Sequence, residues 1–151
     1  MKEIIEKHIA EHQAVLGELT HLIPQIEGVA STLVDALKNG KTIFWCGNGG
    51  SASDSQHLAG ELVGRYKGDR RPLKSIALNA DTAVMTCIVN DYGHEYIFSR
   101  QVEGLGEKED VLIGITTSGN SQNVLNAFNV ANDRAWKPLA CSGRAGARQL
   151  A

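Results

Sequence analysis

The chain is short of cysteine and proline, and the few that it has are widely spread. Its three cysteines are Cys46, Cys87 and Cys141, and no two of them are spaced as C-x-x-C. An odd number of scattered cysteines excludes a disulfide framework and is typical of a reducing compartment. The three prolines do not cluster, and the sequence contains no linker, repeat or low-complexity tract. We therefore expect residues 1–151 to form a single domain.

An excess of positive charge and long apolar runs are also absent. The formal net charge is -2 and the pI is about 6.2, whereas proteins that bind nucleic acids or anionic membranes present clustered Lys and Arg. No apolar run approaches the roughly 20 residues of a transmembrane helix. The first six residues, MKEIIE, lack the basic start and apolar stretch of a signal peptide. These absences argue against nucleic-acid and membrane partners and predict a cytoplasmic protein.

Two amphipathic helices are predicted over residues 1–40. Apolar residues recur every three or four positions from Ile4 to Ile23, and again from Ile26 to Leu37 after Pro24 interrupts the pattern. Gly40 follows as a typical helix stop. Because both helices precede the first predicted strand, their apolar faces have little sheet to cover. We expect this segment to pack against a second subunit, so that residues 1–40 drive oligomerisation.

Strands and helices alternate in residues 41–151. Strands are predicted at residues 42–46, 75–78, 111–115 and 137–141, and helices at about 52–66, 82–88 and 121–131. Residues 90–93, NDYG, are typical of a turn. Such alternation indicates an α/β fold in which a parallel sheet carries helices on both faces.

Two loops at the carboxyl ends of predicted strands are candidates for binding an anion. The first, Gly47 to Ser51, has three glycines directly before a helix, so the backbone can approach a ligand and free N–H groups face it. Its alternative interpretation is a plain glycine turn capped by Ser51. The second, Thr116 to Ser121, offers four hydroxyls and an amide; its alternative is a turn with Ser121 as helix N-cap. Together the loops favour a sugar phosphate.

His57 and Glu61 lie four residues apart on the helix that follows the first loop. At this spacing their side chains share one helix face, where an imidazole and a carboxylate can chelate zinc or share acid–base catalysis. The alternative is an exposed pair without function. His8 and His12 have the same spacing, but no glycine-rich loop accompanies them, so we expect surface or interface residues. His94 is expected to be a turn residue.

Several motifs together resemble those of the phosphoheptose isomerases in the SIS (sugar isomerase) superfamily. They are residues 46–57 (CGNGGSASDSQH), Glu61, 64–66 (GRY), 90–93 (NDYG), 98–102 (FSRQV) and 114–121 (GITTSGNS). The resemblance covers nearly the whole chain, and Thr116 keeps the hydroxyl of the serine usual at its position. It implies a single SIS domain with a three-layer sandwich, in which two N-terminal helices (1–40) precede a sugar-phosphate-binding core (41–151).

The resemblance also implies a function and a site. The family converts sedoheptulose 7-phosphate to D-glycero-D-manno-heptose 7-phosphate for bacterial surface polysaccharides such as lipopolysaccharide, as homotetramers with sites at subunit interfaces and commonly with zinc. By resemblance, Glu61 is the catalytic carboxylate, and His57 and Glu61 are metal ligands. Arg70 and Arg71 lie in a basic segment around Pro72 and are expected to be solvated charges. The substrate-binding residues so implied are Asn48, Gly49, Gly50, Ser51, Glu61, Arg65, Asn90, Asp91, Thr116, Thr117, Ser118 and Ser121.

The resemblance ends before the family pattern does. Family members continue into a further strand and a long helix, whose glutamine and histidine complete the zinc site and whose histidine is the partner acid–base. We expect this C-terminally truncated form to lack them, to offer zinc only two ligands and to be weakly active at best. Two alternatives are a non-catalytic SIS protein that binds the replication initiator DnaA and a sugar-phosphate sensor. The presence of both His57 and Glu61 favours the enzyme.

Overall fold

The computed structural model describes residues 1–143 and contains two units, Met1–Val34 and Asp35–Ala151. In the first unit, α1 (Lys2–Glu18) continues through a short 3-10 turn, Leu19–Leu22, into α2 (Ile23–Lys38). Pro24 therefore lies in the first turn of α2, where its missing N–H costs nothing. The two predicted N-terminal helices are confirmed. The proposed roles of residues 1–40 and 41–151 stay predictions.

The second unit is built on four parallel strands. These are β1 (Ile43–Gly47), β2 (Ser75–Ala77), β3 (Val111–Thr116) and β4 (Lys137–Ser142), in the spatial order β2-β1-β3-β4. The helices between them are α3 (Gly50–Val63), α4 (Thr82–Tyr92), α5 (Ser99–Leu105) and α6 (Gln122–Asp133). All four strands were predicted within one or two residues, whereas α5 was not predicted.

Helices cover both faces of the sheet, as the α/β pattern predicts. The chain moves from β1 to β2 in one direction and from β3 to β4 in the other, so right-handed crossovers place α3 and α6 on opposite faces. Phe44, Cys46 and Leu112 pack in one cluster with residues of α4, α5 and α6. Trp45 and Ile113, which alternate with them, are buried too. This is the three-layer sandwich expected from the resemblance.

The buried residue Asp110 forms hydrogen bonds at the amino ends of β1, β3 and β4. The side chain of Asp110 accepts hydrogen bonds from the backbone N–H of Thr42 and of Glu107, both at 2.8 Å. Its own carbonyl accepts from the N–H of Lys137 at 2.9 Å. These bonds satisfy a buried polar group and fix where β1, β3 and β4 begin. The loops that follow β1 and β3 lie at the opposite edge of the sheet, where the strands have their carboxyl ends.

None of the helices in the described part of the chain has the length and apolar character needed to cross a membrane.

Candidate active site

The two candidate loops lie side by side at the carboxyl edge of the sheet. β1 and β3 are neighbours in parallel register, with Gly47 paired to Ile115 at their ends. The chain leaves these two strands in opposite directions, so the space between their carboxyl ends is not covered by either crossover. Open α/β sheets bind their ligands at such a switch point. The structure thus brings together the two loops that the sequence analysis singled out.

The conformation of the first loop, Gly47–Ser51 (the glycine loop), requires glycine at two positions. Gly49 is the N-cap of α3 with φ 58°, a conformation that disfavours a side chain. A Cβ at Gly47 would lie 2.7 Å from Cβ of Ser51 and 2.9 Å from the carbonyl oxygen of Ile115, so only glycine lets helix and strands approach this closely. Within the described chain α3 begins without a side-chain capping bond. The interpretation of Ser51 as a cap is therefore wrong.

The second loop, Thr116–Ser121 (the hydroxyl loop), is stabilised by hydrogen bonds among its own residues. Oγ1 of Thr116 lies 3.0 Å from Oγ of Ser121 and accepts a hydrogen bond from the N–H of Gly119 at 3.2 Å. Oγ of Ser118 accepts from the N–H of Asn120 at 3.2 Å. Ser121 does occupy the N-cap position of α6, but its hydroxyl contacts Thr116 and makes no capping bond in the described structure. Thr117 and Ser118 are exposed to an incoming ligand.

A pair of amides that the sequence analysis missed joins the two loops. Nδ2 of Asn48 donates to Oδ1 of Asn123 at 2.9 Å, and Nδ2 of Asn123 donates to Oδ1 of Asn48 at 2.8 Å. Asn123 belongs to the first turn of α6 and is 1% exposed. The sequence signal was only a polar residue two positions after the loop Thr116–Ser121, and the contact spans 75 residues.

His57 and Glu61 contact each other, as their spacing predicts. Nε2 of His57 lies 3.2 Å from Oε1 of Glu61, and the side chains are 74% and 34% exposed. Zinc sites use three or four protein ligands, and residues 1–143 contain no group of three His, Cys, Asp or Glu side chains placed to hold a metal. The pair by itself therefore does not form a complete zinc site, and its role as metal ligands stays a prediction.

Asn90 and Asp91 belong to a helix, so the predicted turn at residues 90–93 is wrong. Both lie in the last turn of α4, which ends at Gly93 with φ 104°. Nδ2 of Asn90 donates to Oδ1 of Asp91 at 2.7 Å, and both residues are exposed. His94 lies in a short 3-10 turn, His94–Tyr96, in agreement with the prediction, and its Nε2 is 3.4 Å from Nδ2 of Asn123.

Arg65 is not on the face that carries His57 and Glu61. The predicted helix to residue 66 ends at Val63, because the backbone turns away at Gly64 with ψ -119°. A Cβ at Gly64 would lie 3.1 Å from the carbonyl oxygen of Gly60. Arg65 lies in the exposed segment that follows and its Nη1 is 3.2 Å from Oδ1 of Asp69. Its role in substrate binding stays a prediction.

Cys46 is a core residue rather than a nucleophile. It lies in β1, fully buried, and desolvation raises the pKa of its thiol to about 12. A thiol with so high a pKa stays protonated at neutral pH, and the thiolate is the reactive form. All three cysteines of the chain are free thiols.

Comparison with known proteins identifies the family. The family model described as SIS domain matches residues 7–143. The chain belongs to the SIS domain family. It is 49% identical to the phosphoheptose isomerase of Helicobacter hepaticus over 98% of this chain and 76% of that protein. The corresponding enzyme of Nitratiruptor sp. is 51% identical over 98% and 80%. The solved phosphoheptose isomerase of Neisseria gonorrhoeae superposes with a TM-score of 0.89 at 40% identity, covering 98% and 78%.

In this SIS domain, Arg70 closes the end of α3, a role that the sequence analysis did not anticipate. Its Nη2 donates to the carbonyl of Glu61 at 2.6 Å, and its Nη1 donates to the carbonyl of Leu62 at 2.8 Å. The last carbonyls of a helix have no partners within the helix, and a guanidinium there also complements the helix dipole. Arg70 is exposed, as predicted, but its guanidinium also binds these carbonyls and so holds the turn that carries Glu61.

Replacing Arg70 with alanine is expected to loosen this turn. The Arg70→Ala variant should lose about 1–2 kcal/mol of unfolding free energy, because several exposed carbonyl bonds are lost together. Backbone amides at the end of α3 should exchange faster with solvent, as followed by hydrogen exchange. Arg71→Ala is the matched control, since it removes the neighbouring exposed guanidinium. Equal exchange rates in the two variants would contradict the capping role.

Proposed function

We propose that this SIS domain is an isomerase that interconverts sedoheptulose 7-phosphate and D-glycero-D-manno-heptose 7-phosphate. The enzymes to which it is about half identical are named phosphoheptose isomerases. By this proposal it serves heptose biosynthesis for bacterial surface polysaccharide such as lipopolysaccharide. The three free cysteines are consistent with the reducing cytoplasm.

The observation that carries the proposal is that the two loops lie side by side at the carboxyl ends of β1 and β3, and that the first loop leads directly into α3. The phosphate is bound by the hydroxyls of Thr116, Ser118 and Ser121 and by the free N–H groups at the start of α6. The sugar extends toward the first loop, where Asn48 to Ser51 begin α3. The same helix carries His57 and Glu61 in contact. The loop that we propose binds the sugar is thus connected to the carboxylate of Glu61 by one rigid helix.

The reaction requires a base beside the sugar carbonyl. In the ketose, a base takes a proton from the hydroxymethyl carbon next to the ketone, and the electron pair left behind forms a carbon–carbon double bond. The carbonyl electron pair moves onto the ketone oxygen, which takes up a proton to give the enediol. A proton returned to the former ketone carbon, with loss of the hydroxyl proton from the first carbon, gives the aldose. We assign the carbon-to-carbon transfer to the carboxylate of Glu61. Its 34% exposed side chain can take a proton from a bound sugar while still contacting His57.

The alternatives of a DnaA-binding protein and a sugar-phosphate sensor are not favoured. A relative that has lost catalysis has no need of a carboxylate held beside a histidine, and this chain keeps both. Its similarity to phosphoheptose isomerases extends over 98% of its length.

Zinc and subunit assembly are further parts of the proposal. Zinc, when bound, would polarise the sugar carbonyl; His57 and Glu61 would hold it, with the rest of the shell supplied from outside the described residues. The assembly we propose is a homotetramer with sites at subunit interfaces. It is supported by the apolar side chains of the first unit, where Ile4, Ile5 and Ile9 are 61%, 53% and 53% exposed. Surfaces of this kind are typical of protein interfaces.

Replacing Glu61 with glutamine tests the activity. Deuterium incorporation into sedoheptulose 7-phosphate in heavy water reports proton abstraction even when turnover is slow. The wild-type chain should exchange the proton, and Glu61→Gln should be slower by about 100-fold or more, since a general base contributes about that factor. Glu103→Gln, on an exposed position of α5, is the control and should keep the wild-type rate. Exchange by Glu61→Gln at the wild-type rate, or none by the wild type, would refute the proposal.

Zinc binding is tested by titrating the metal while following the melting temperature. The wild type should melt at a higher temperature with zinc, because a ligand that binds only the folded state stabilises it. His57→Ala should lose this increase. His8→Ala is the matched control, because its ring lies 3.2 Å from a carboxylate oxygen of Glu11 in a similar exposed helical pair. An increase that persists in His57→Ala would show that zinc binds elsewhere.

The assembly is tested by light scattering. The wild type should have about four times the 16.2 kDa mass of one chain. Ile9→Asp should shift the mass downward, because a charge in an apolar contact is costly to bury. Lys7→Asp places the same side chain on the opposite face of α1 and should leave the mass unchanged. A monomeric wild type, or equal behaviour of the two variants, would contradict the assembly.

A further inference from the structure

We infer that Asn123 is a positioning residue that fixes the side-chain amide of Asn48 in the orientation needed to bind the sugar. This inference rests on the proposed function, in which Asn48 contacts the substrate. Asn123 itself is 1% exposed and belongs to α6, the helix that follows the hydroxyl loop. It acts through Asn48 and does not touch the ligand.

The main chain sets the orientation of the Asn123 amide. The N–H of Val124 donates to Oδ1 of Asn123 at 2.9 Å. Because a backbone N–H can only donate, the side-chain atom that faces it must be the oxygen. Nδ2 therefore lies on the other side of the amide and donates to Oδ1 of Asn48 at 2.8 Å. The return bond from Nδ2 of Asn48 to Oδ1 of Asn123, at 2.9 Å, completes a reciprocal pair.

The side-chain amides of Asn123 and Asn48 differ in how many of their donors and acceptors are already used within the protein. An asparagine side chain offers two donors and two acceptor sites. Oδ1 of Asn123 accepts from Asn48 and Val124, and Nδ2 donates to Asn48 and approaches Nε2 of His94 at 3.4 Å. Asn123 is thus fully used. The half-buried Asn48 uses one donor and one acceptor in the pair, which leaves one of each for sugar hydroxyls.

Asn123 also connects three segments of the chain. Asn48 follows β1, Asn123 begins α6 after β3, and His94 follows α4. A buried polar network that is fully satisfied is rigid, whereas one that has lost a member is costly. The position of the sugar-binding amide is therefore coupled to the position of the phosphate-binding loop.

A double-mutant cycle in kcat/KM tests the inference. Asn123→Ala and Asn48→Ala should each lower kcat/KM by about tenfold or more, with an increase in KM, because each disrupts the same sugar contact. If Asn123 acts through Asn48, the double variant should be no more than about threefold below the poorer single variant, since residues in one network are not additive. Asn129→Ala, an exposed asparagine on the same helix, should keep the wild-type values.

A second variant covers the case in which Asn123→Ala does not fold. Asn123→Asp keeps the shape and the acceptor facing Val124, but it cannot donate to Oδ1 of Asn48. It should fold and still lower kcat/KM by about tenfold. Losses that multiply in the double variant, or wild-type kinetics in Asn123→Asp, would overturn the inference.

Nuclear magnetic resonance separates this inference from the proposed function. In the wild type, the Asn48 side-chain amide proton that is donated to Asn123 should be protected from solvent exchange, and the protection should fall in Asn123→Ala but not in Asn129→Ala. This readout needs no turnover. A wild type that is inactive but shows this pattern would refute the proposed isomerase and keep the positioning role. Unchanged protection in Asn123→Ala would refute the positioning role alone.

Discussion

The parallel pairing of β1 with β3 is the constraint on which the site depends. Its register sets Gly47 opposite Ile115, and the chain leaves the two strands in opposite directions. Their carboxyl ends therefore stay adjacent and uncovered, so both loops open into the same space. A side chain at Gly47 would press against the carbonyl of Ile115 and the start of α3. It would separate the two loops without touching a ligand.

The loops are held in place by different means before any ligand is present. The hydroxyl loop is internally bonded through Thr116 and Ser121, and the glycine loop is fixed by its close approach to the sheet. The Asn48–Asn123 pair then joins one loop to the other. Because these bonds already exist in the free protein, little conformational freedom is left to lose on binding. The two loops are thus held at a fixed separation.

The sequence predicted the parts of the site that depend on local signals. Strand patterns, glycine positions and the spacing of His57 and Glu61 each involve a few neighbouring residues, and the structure agrees with them. The Asn48–Asn123 pair and the Arg70 cap depend on tertiary contacts, for which the sequence carries no periodicity. The end of α3 was misplaced for the same reason. The helix was predicted to run to residue 66, but the backbone turns away at Gly64, and so Arg65 lies beyond the end of α3.

The position of Glu61 brings these constraints together. It lies near the carboxyl end of α3, where the helix dipole disfavours a negative charge. The guanidinium of Arg70 binds the terminal carbonyls, including that of Glu61 itself, and so places a positive charge where the dipole is negative. At its other end, α3 is anchored by the glycine loop against the sheet. The helix thus acts as a rigid spacer between the glycine loop and Glu61, so the distance between them is set by the helix rather than by a flexible segment.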